Sequence, residues 1–265
     1  METADLIESL RSEGSLLADT AERAGSAAEV PTCPAWRVRD LVRHAGTVHR
    51  WATAFVAEGL ARPRRPESGP DLDGAPLLEW FREGQVRLVD TLLTAPDDLE
   101  CWTFLPAESP LAFWARRQAH ETTVHRVDAE AALGGPGALA HLGERISPIG
   151  SSFALDGIDE MLSGFHSRER STVRSAAPRT LRIRTTDTAD PTGTWTVRIS
   201  GDPLRVERST GRGPAAADPV DCEIAGPAAH VHLALWNRIP LESLDVTGDA
   251  EVAQLWRETS AIAFG

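Results

Sequence analysis

The apolar residues of this chain change their spacing once, near Ser171, and that switch limits the folds open to it. Up to that point they recur at helical intervals. Residues 5–24 set Leu6, Leu10, Leu16 and Leu17 among Glu, Arg and Asp, which predicts an amphipathic helix. A second helix is expected from about Arg37 to Glu58. A third covers 76–95, with Leu77, Trp80, Phe81, Leu88 and Leu92 among its apolar residues. A fourth runs from about Pro110 to Leu133, where Gly134-Gly135-Pro136 stops it, and a fifth from about Pro148 to Arg170. The stretch ARPRRPESGPDLDGAP, with four prolines, reads as a surface loop. Helices of this length predict a bundle of four core helices plus an extra one.

Beyond STVRSAAPRT, which reads as a linker, apolar residues alternate with period two. Leu181 and Ile183, then Trp195, Val197 and Ile199, then Leu204 and Val206, then Cys222 and Ile224, then Leu244 and Val246 mark short strands. A short helix opens at Gly226-Pro227 and runs through Trp236, and a last one covers about 249–258. The expected fold class is therefore α+β. A helical domain at 1–172 precedes a small α+β domain at 178–265 with an antiparallel sheet and two helices.

Composition then narrows the chemistry. All 27 basic side chains among the 265 residues are arginine, and tyrosine is absent too. Lysine Schiff bases, a phosphate-loop lysine and phenol acid–base catalysis are thereby excluded. A net charge of −12 argues against a general nucleic-acid binder and against docking on anionic lipid. The opening METADLIESLRSEG has no apolar run of the signal-peptide kind, and no window of about eighteen apolar residues exists. A cytoplasmic protein with small-molecule partners, monomeric or homodimeric, is the expectation. Cys33, Cys101 and Cys222 lie far apart with no CxxC pair, so they read as reduced thiols. Cys33, just ahead of the second helix, is the one nearest any candidate chemistry.

Histidines and carboxylates remain. In DLVRHAGTVHRW, His44 and His49 are roughly 140° apart on one helix, so they face different ways. His44 shares a face with Leu41 and Val48, which makes it the inward candidate. In AHETTVHRVDAE, Glu121 and His125 are four apart and share a face. A carboxylate and an imidazole at that spacing form half a site for a divalent metal, zinc by default, with nickel or iron also compatible. The same spacing also suits a solvated i,i+4 pair. A third ligand from a second core helix would complete a site with open positions. His120 lies ~100° off Glu121 and is the weaker candidate. Asp128, three beyond His125, is placed to orient a ligand or touch a substrate, and Trp114, two turns ahead of Glu121, to line a pocket. The other histidines and tryptophans read as core or surface residues.

The segments VPTCPAWRVRDLVRHAGTVHRW and FWARRQAHETTVHRVDAEAALG resemble the N-terminal domain of the mycothiol-dependent maleylpyruvate isomerase family, within the wider DinB-like metal-binding four-helix bundles. The marker residues are Pro34, Trp36, Asp40, Leu41 and His44, then Glu121, His125 and Asp128. AGPAAHVHLALWNRIP followed by LDVTGDAEVAQLW is similar to the family's companion domain, which is related to sterol-carrier folds. The resemblance implies a metal triad of His44, Glu121 and His125, zinc as the metal, mycothiol as thiol co-substrate, and a site-facing arginine at Arg238 in LWNR. By itself Arg238 reads equally as a solvated arginine at a helix end.

The function expected is thus a metal-dependent isomerase or thiol S-transferase acting on a small electrophilic acid. The metal activates the thiol, and Arg238 clamps the substrate carboxylate. Two other classes fit the same residues: a non-catalytic ligand-binding protein, and a metal-dependent hydrolase using bound water.

Overall fold

Proline and glycine punctuation cuts the first half of the chain into four long helices. The computed structural model describes residues 1–135, 138–188, 193–209 and 219–262. These helices are α1 (Thr3–Ala24), α2 (Val38–Glu58), α3 (Gly74–Thr94) and α4 (Pro110–Gly134). Their boundaries have local causes. At α2 the Asp40 carboxylate accepts from the Arg37 backbone N–H at 2.9 Å, and Gly59 leaves the helix in the left-handed region at φ 61. Ser109 caps α4 by accepting from Ala112 N–H, with Pro110 in its first turn. Gly135, at φ 70, ends it; Pro136 lies outside the described residues.

The chain forms two compact units, Met1–Leu142 and Gly143–Gly265. In the first, α1 packs on α3 and α4, and α2 packs on α3 and α4, giving the expected four-helix bundle. Leu17, Val38, Leu41, Val42, Leu77 and Phe81 are buried together between them. Helix α4 differs from the other three. It has no single apolar stripe, because nearly every side chain from Phe113 to Ala132 is buried, charged ones included.

The second unit starts earlier than the sequence pattern suggests. A single turn α5 (Leu142–Arg145) leads to α6 (Ser151–Asp159), which continues as a π-helical turn over Glu160–Phe165. The expected fifth helix through Arg170 therefore stops at Phe165. It packs against α7 (Ala228–Leu235), so it belongs with the sheet and not with the bundle. The supposed linker is also part of this unit. Val173 is fully buried, and Ser175 N–H donates to Ser200 O. A buried apolar side chain and a backbone hydrogen bond are what a free linker lacks.

Five strands follow: β1 (Arg179–Thr185), β2 (Thr194–Ile199), β3 (Arg205–Arg208), β4 (Cys222–Gly226) and β5 (Asp245–Gly248). Their order is β3-β2-β1-β4-β5. The sheet is mixed and not antiparallel throughout. β1–β2, β2–β3 and β4–β5 are antiparallel, whereas β4 lies parallel to β1, with Leu181 opposite Cys222. Period-two alternation marks strands without fixing the direction of their neighbours, and β4 returns to the free edge of β1 instead of extending the meander. One face buries Leu181, Ile183, Trp195, Val197, Cys222 and Ile224. On the other, Glu223 pairs with Arg182 and Arg184. α8 (Ala250–Thr259) is tied to α7 through Trp256 Nε1, which donates to Leu235 O. Among the described residues no helix is long and apolar enough to cross a membrane.

Each unit encloses a histidine. Burial pushes His49 down to about 3 and His166, which sits near Arg168 and Arg174, down to about 4. Both are neutral in the native protein but titrate near 6.5 once unfolded. The unfolded chain therefore binds more protons below that pH, and stability falls as pH drops from 6.5 toward 4. Each group contributes a slope of up to about 1.4 kcal/mol per pH unit. Denaturant unfolding of wild type and His166→Gln across this window checks it. The variant is expected to show a shallower slope, and equal slopes would refute the assignment.

Candidate functional site

His44 comes from α2, and Glu121 and His125 come from α4, which packs beside it. Glu121 Oε1 lies 3.4 Å from His44 Nε2 and 3.2 Å from His125 Nε2. The two imidazoles meet edge to face at 4.9 Å between centroids. One ligand atom from each residue lies within 4.8 Å of the others. α2 and α4 thus bring together His44, Glu121 and His125, the trio that the family resemblance implies.

The helical faces of α2 are arranged differently from the sequence expectation. His49 and not His44 is the core residue: it is 1% exposed, rests on Phe81, and places Nε2 2.8 Å from Thr122 Oγ1. Ala45, His49, Ala52 and Val56 form the buried stripe of α2, and His44 lies one position to its side. Its side chain remains 33% exposed, which leaves one flank of the cluster open.

A second layer fixes these groups. His125 donates from Nδ1 to Asp128 Oδ2 at 2.9 Å, and the same oxygen accepts from the Cys33 thiol at 3.4 Å. With Nδ1 donating to Asp128, Nε2 is the ring nitrogen turned toward Glu121. Arg117, one turn before Glu121, donates from Nη2 to Glu121 Oε2 at 3.2 Å. Trp36 covers both imidazoles, 5.0 Å from His44 and stacked 6.2 Å from His125.

The electrostatics follow from these contacts. Burial disfavours charge on His125, but its hydrogen bonds to Asp128 and Glu121, with their charges, outweigh that and raise it to about 9. Burial likewise opposes ionisation of Glu121, yet hydrogen bonds from His125 and His44 and the Arg117 charge hold its carboxyl well below the usual range. Two imidazole nitrogens and a carboxylate oxygen therefore face one point that demands positive charge. Protons supply it in the protein alone, and a divalent cation matches the same donor set.

The other candidate residues fall elsewhere. Trp114 is fully buried among Trp51, Phe55, Phe104 and Phe113, and its indole N–H donates to Trp102 O, so it offers no surface to a ligand in this conformation. Asp128 is also fully buried and touches His125 as an orienting group. His120 is buried on α4 away from the triad's face. Arg238 belongs to the second unit. It follows Asn237, which has φ 59, and it closes the end of α7: its N–H donates to Leu233 O and its guanidinium to Trp236 O. None of the three cysteines is in a disulfide, and Cys222 is buried in β4. Sequence reasoning on spacing missed Arg117, although the i,i+4 interval to Glu121 was available. Trp36 was visible only as a family marker, because it lies in a loop without periodicity.

That loop is tightly wound. Cys33 N–H donates to Val30 O, Trp36 N–H to Cys33 O, and Val30 N–H to Trp36 O, each at 3.0 Å. Closing it forces Ala35 to φ 75, a region that costs a residue with a Cβ roughly 1–2 kcal/mol. Glycine escapes that cost and loses part of the gain to chain entropy. Ala35→Gly is thus expected to stabilise the protein by about 0.5–1 kcal/mol, read as a higher midpoint in thermal unfolding. An unchanged or lower midpoint would count against strain at this position.

Comparison with known proteins agrees with the fold. Solved structures of the mycothiol-dependent maleylpyruvate isomerase and of a histidine-to-alanine mutant of it match the fold with TM-scores of 0.58 and 0.59, at 14% and 12% identity. Each match covers 93% of both chains. No curated protein matches the sequence significantly. The profile of the mycothiol maleylpyruvate isomerase N-terminal domain matches residues 7–130, and that of the companion C-terminal domain matches residues 152–255. With both of its domains present in order and covering most of the chain, the protein belongs to the mycothiol-dependent maleylpyruvate isomerase family.

Proposed function

We propose that this protein is a metal-dependent enzyme that uses mycothiol to isomerise a small unsaturated acid of the maleylpyruvate kind. The observation that carries the reading is the convergence of His44, Glu121 and His125 within 4.8 Å, two imidazoles and a carboxylate on one point. Family membership supplies the thiol and the reaction type. A cytoplasmic location goes with a thiol that must stay reduced.

His44, Glu121 and His125 would hold the metal, and zinc suits two nitrogens and one oxygen with a position left open. When bound, such an ion supplies a Lewis acid that keeps a small thiol as its thiolate at neutral pH. The chain's own groups do the rest. Asp128 keeps the His125 proton on Nδ1 and leaves Nε2 as the donor. Trp36 shields the imidazole pair on one side, and the exposed flank of His44 leaves room for a ligand on another. Mycothiol held there would supply the nucleophile: its thiolate would add to one carbon of the conjugated double bond, placing the charge on the conjugated carbonyl, and would leave again as thiolate after rotation about the new single bond. On the family resemblance, Arg238 is the proposed partner of the substrate carboxylate, which its planar guanidinium can hold through two hydrogen bonds.

Metal analysis of reconstituted protein tests the reading. One divalent ion per chain is expected in wild type, with loss of it in His44→Ala and Glu121→Ala. Asp128→Asn is expected to bind about 10–100-fold more weakly. Added mycothiol should change the visible spectrum of the cobalt-substituted protein. Wild type that takes up no stoichiometric metal would end the proposal, and cobalt that ignores the thiol would end its thiol part.

A further inference from the structure

The two oxygens of Glu121 have different neighbours. Oε1 faces both imidazoles, at 3.4 Å from His44 and 3.2 Å from His125. Oε2 is turned the other way and accepts from Arg117 Nη2 at 3.2 Å. Arg117 is one turn earlier on the same helix, with its side chain 2% exposed against 11% for the carboxylate. A buried guanidinium facing a buried carboxylate is costly to separate, because each leaves the other as an unpaired charge. The pair is also local, at i and i+4, so the helix itself sets the distance.

From this we infer that Arg117 is a positioning residue that limits Glu121 to one oxygen toward the metal. The inference rests on the metal reading above and concerns how the carboxylate is used. Left alone, a carboxylate beside a divalent ion binds through one oxygen or through both. With Oε2 held by Arg117, only Oε1 remains, so the triad offers three donor atoms and not four. A three-donor set leaves a vacant position on a four-coordinate ion, and an exogenous ligand needs that vacancy. The guanidinium also offsets the charge of Glu121, so the metal keeps more of its positive charge for an anionic thiolate.

X-ray absorption on the zinc-loaded full-length protein reads the coordination shell directly, with stoichiometry measured on the same samples. Wild type is expected to show two imidazole nitrogens and a single carboxylate oxygen at about 2.0–2.2 Å. Arg117→Gln, which removes the charge and keeps a side chain of moderate length, is expected to gain one carboxylate oxygen. The cobalt-substituted form of that variant should lose intensity in its visible bands as the coordination number rises. Arg117→Lys keeps one charged donor and should return the wild-type shell. Circular dichroism confirms that each variant is folded. Should Arg117→Gln fail to fold, wild type alone still decides, since a two-oxygen carboxylate in its shell overturns the inference. Identical shells in wild type and folded Arg117→Gln overturn it as well. A wild-type protein with no stoichiometric zinc is a different result: it removes the metal reading itself.

Discussion

Helix α4 runs through the first unit with charged side chains buried along its length, and each of those described here is held by an opposite charge. Arg126 is fully buried and pairs with Glu13 of α1 and Glu130 one turn on. Arg117 pairs with Glu121, and His125 with Asp128. An isolated charge in such a place would cost several kcal/mol, so the bundle depends on these pairs being complete. The same condition makes chemistry possible there. A helix already obliged to bury matched charges can hold a carboxylate and an imidazole in fixed positions at little extra cost. The outer helices need only present apolar stripes and, in the case of α2, one imidazole at the edge of its stripe.

The first and second layers of the candidate site divide the work. Atoms that face the convergence point come from two rigid helices, so their spacing is set by helix geometry and packing. Groups that tune them come from helix and loop alike: Arg117 and Asp128 from α4, Cys33 and Trp36 from the Val30–Trp36 loop. The loop reaches its shape with a strained Ala35 and presents Cys33 and Trp36 to the site.

Much of this was legible in the sequence. Helical spacing located α1 to α4 to within a few residues, and the i,i+4 interval joined Glu121 to His125. Period two located the strands from Leu181 to Val246. What stayed hidden depends on contacts between elements. His49 is the more deeply enclosed histidine of α2 while half-exposed His44 reaches Glu121, a division that a wheel drawn on one helix cannot give because it does not say which neighbour sits on which side. The helix at Ser151–Asp159 carries the same pattern whether it packs on a bundle or on α7. The parallel pairing of β1 with β4 leaves no trace in alternation. Trp36 lies in a loop, where no period exists to read. Arg238 was assigned by resemblance, and its local bonds place it as the closing residue of α7.

The β1–β4 ladder also sets an order of events when the second unit forms. β1, β2 and β3 are joined as successive antiparallel neighbours, so their contacts close short stretches of chain. β4 must find β1 from forty-one residues away, as Leu181 and Cys222 show. Closing that longer loop costs more entropy before any contact repays it. The free edge of β1 therefore stays uncovered until β4 docks. In that interval its backbone donors and acceptors are open to any other strand, so assembly of the sheet is safest when β4 and β5 arrive together as the antiparallel pair they form in the finished fold.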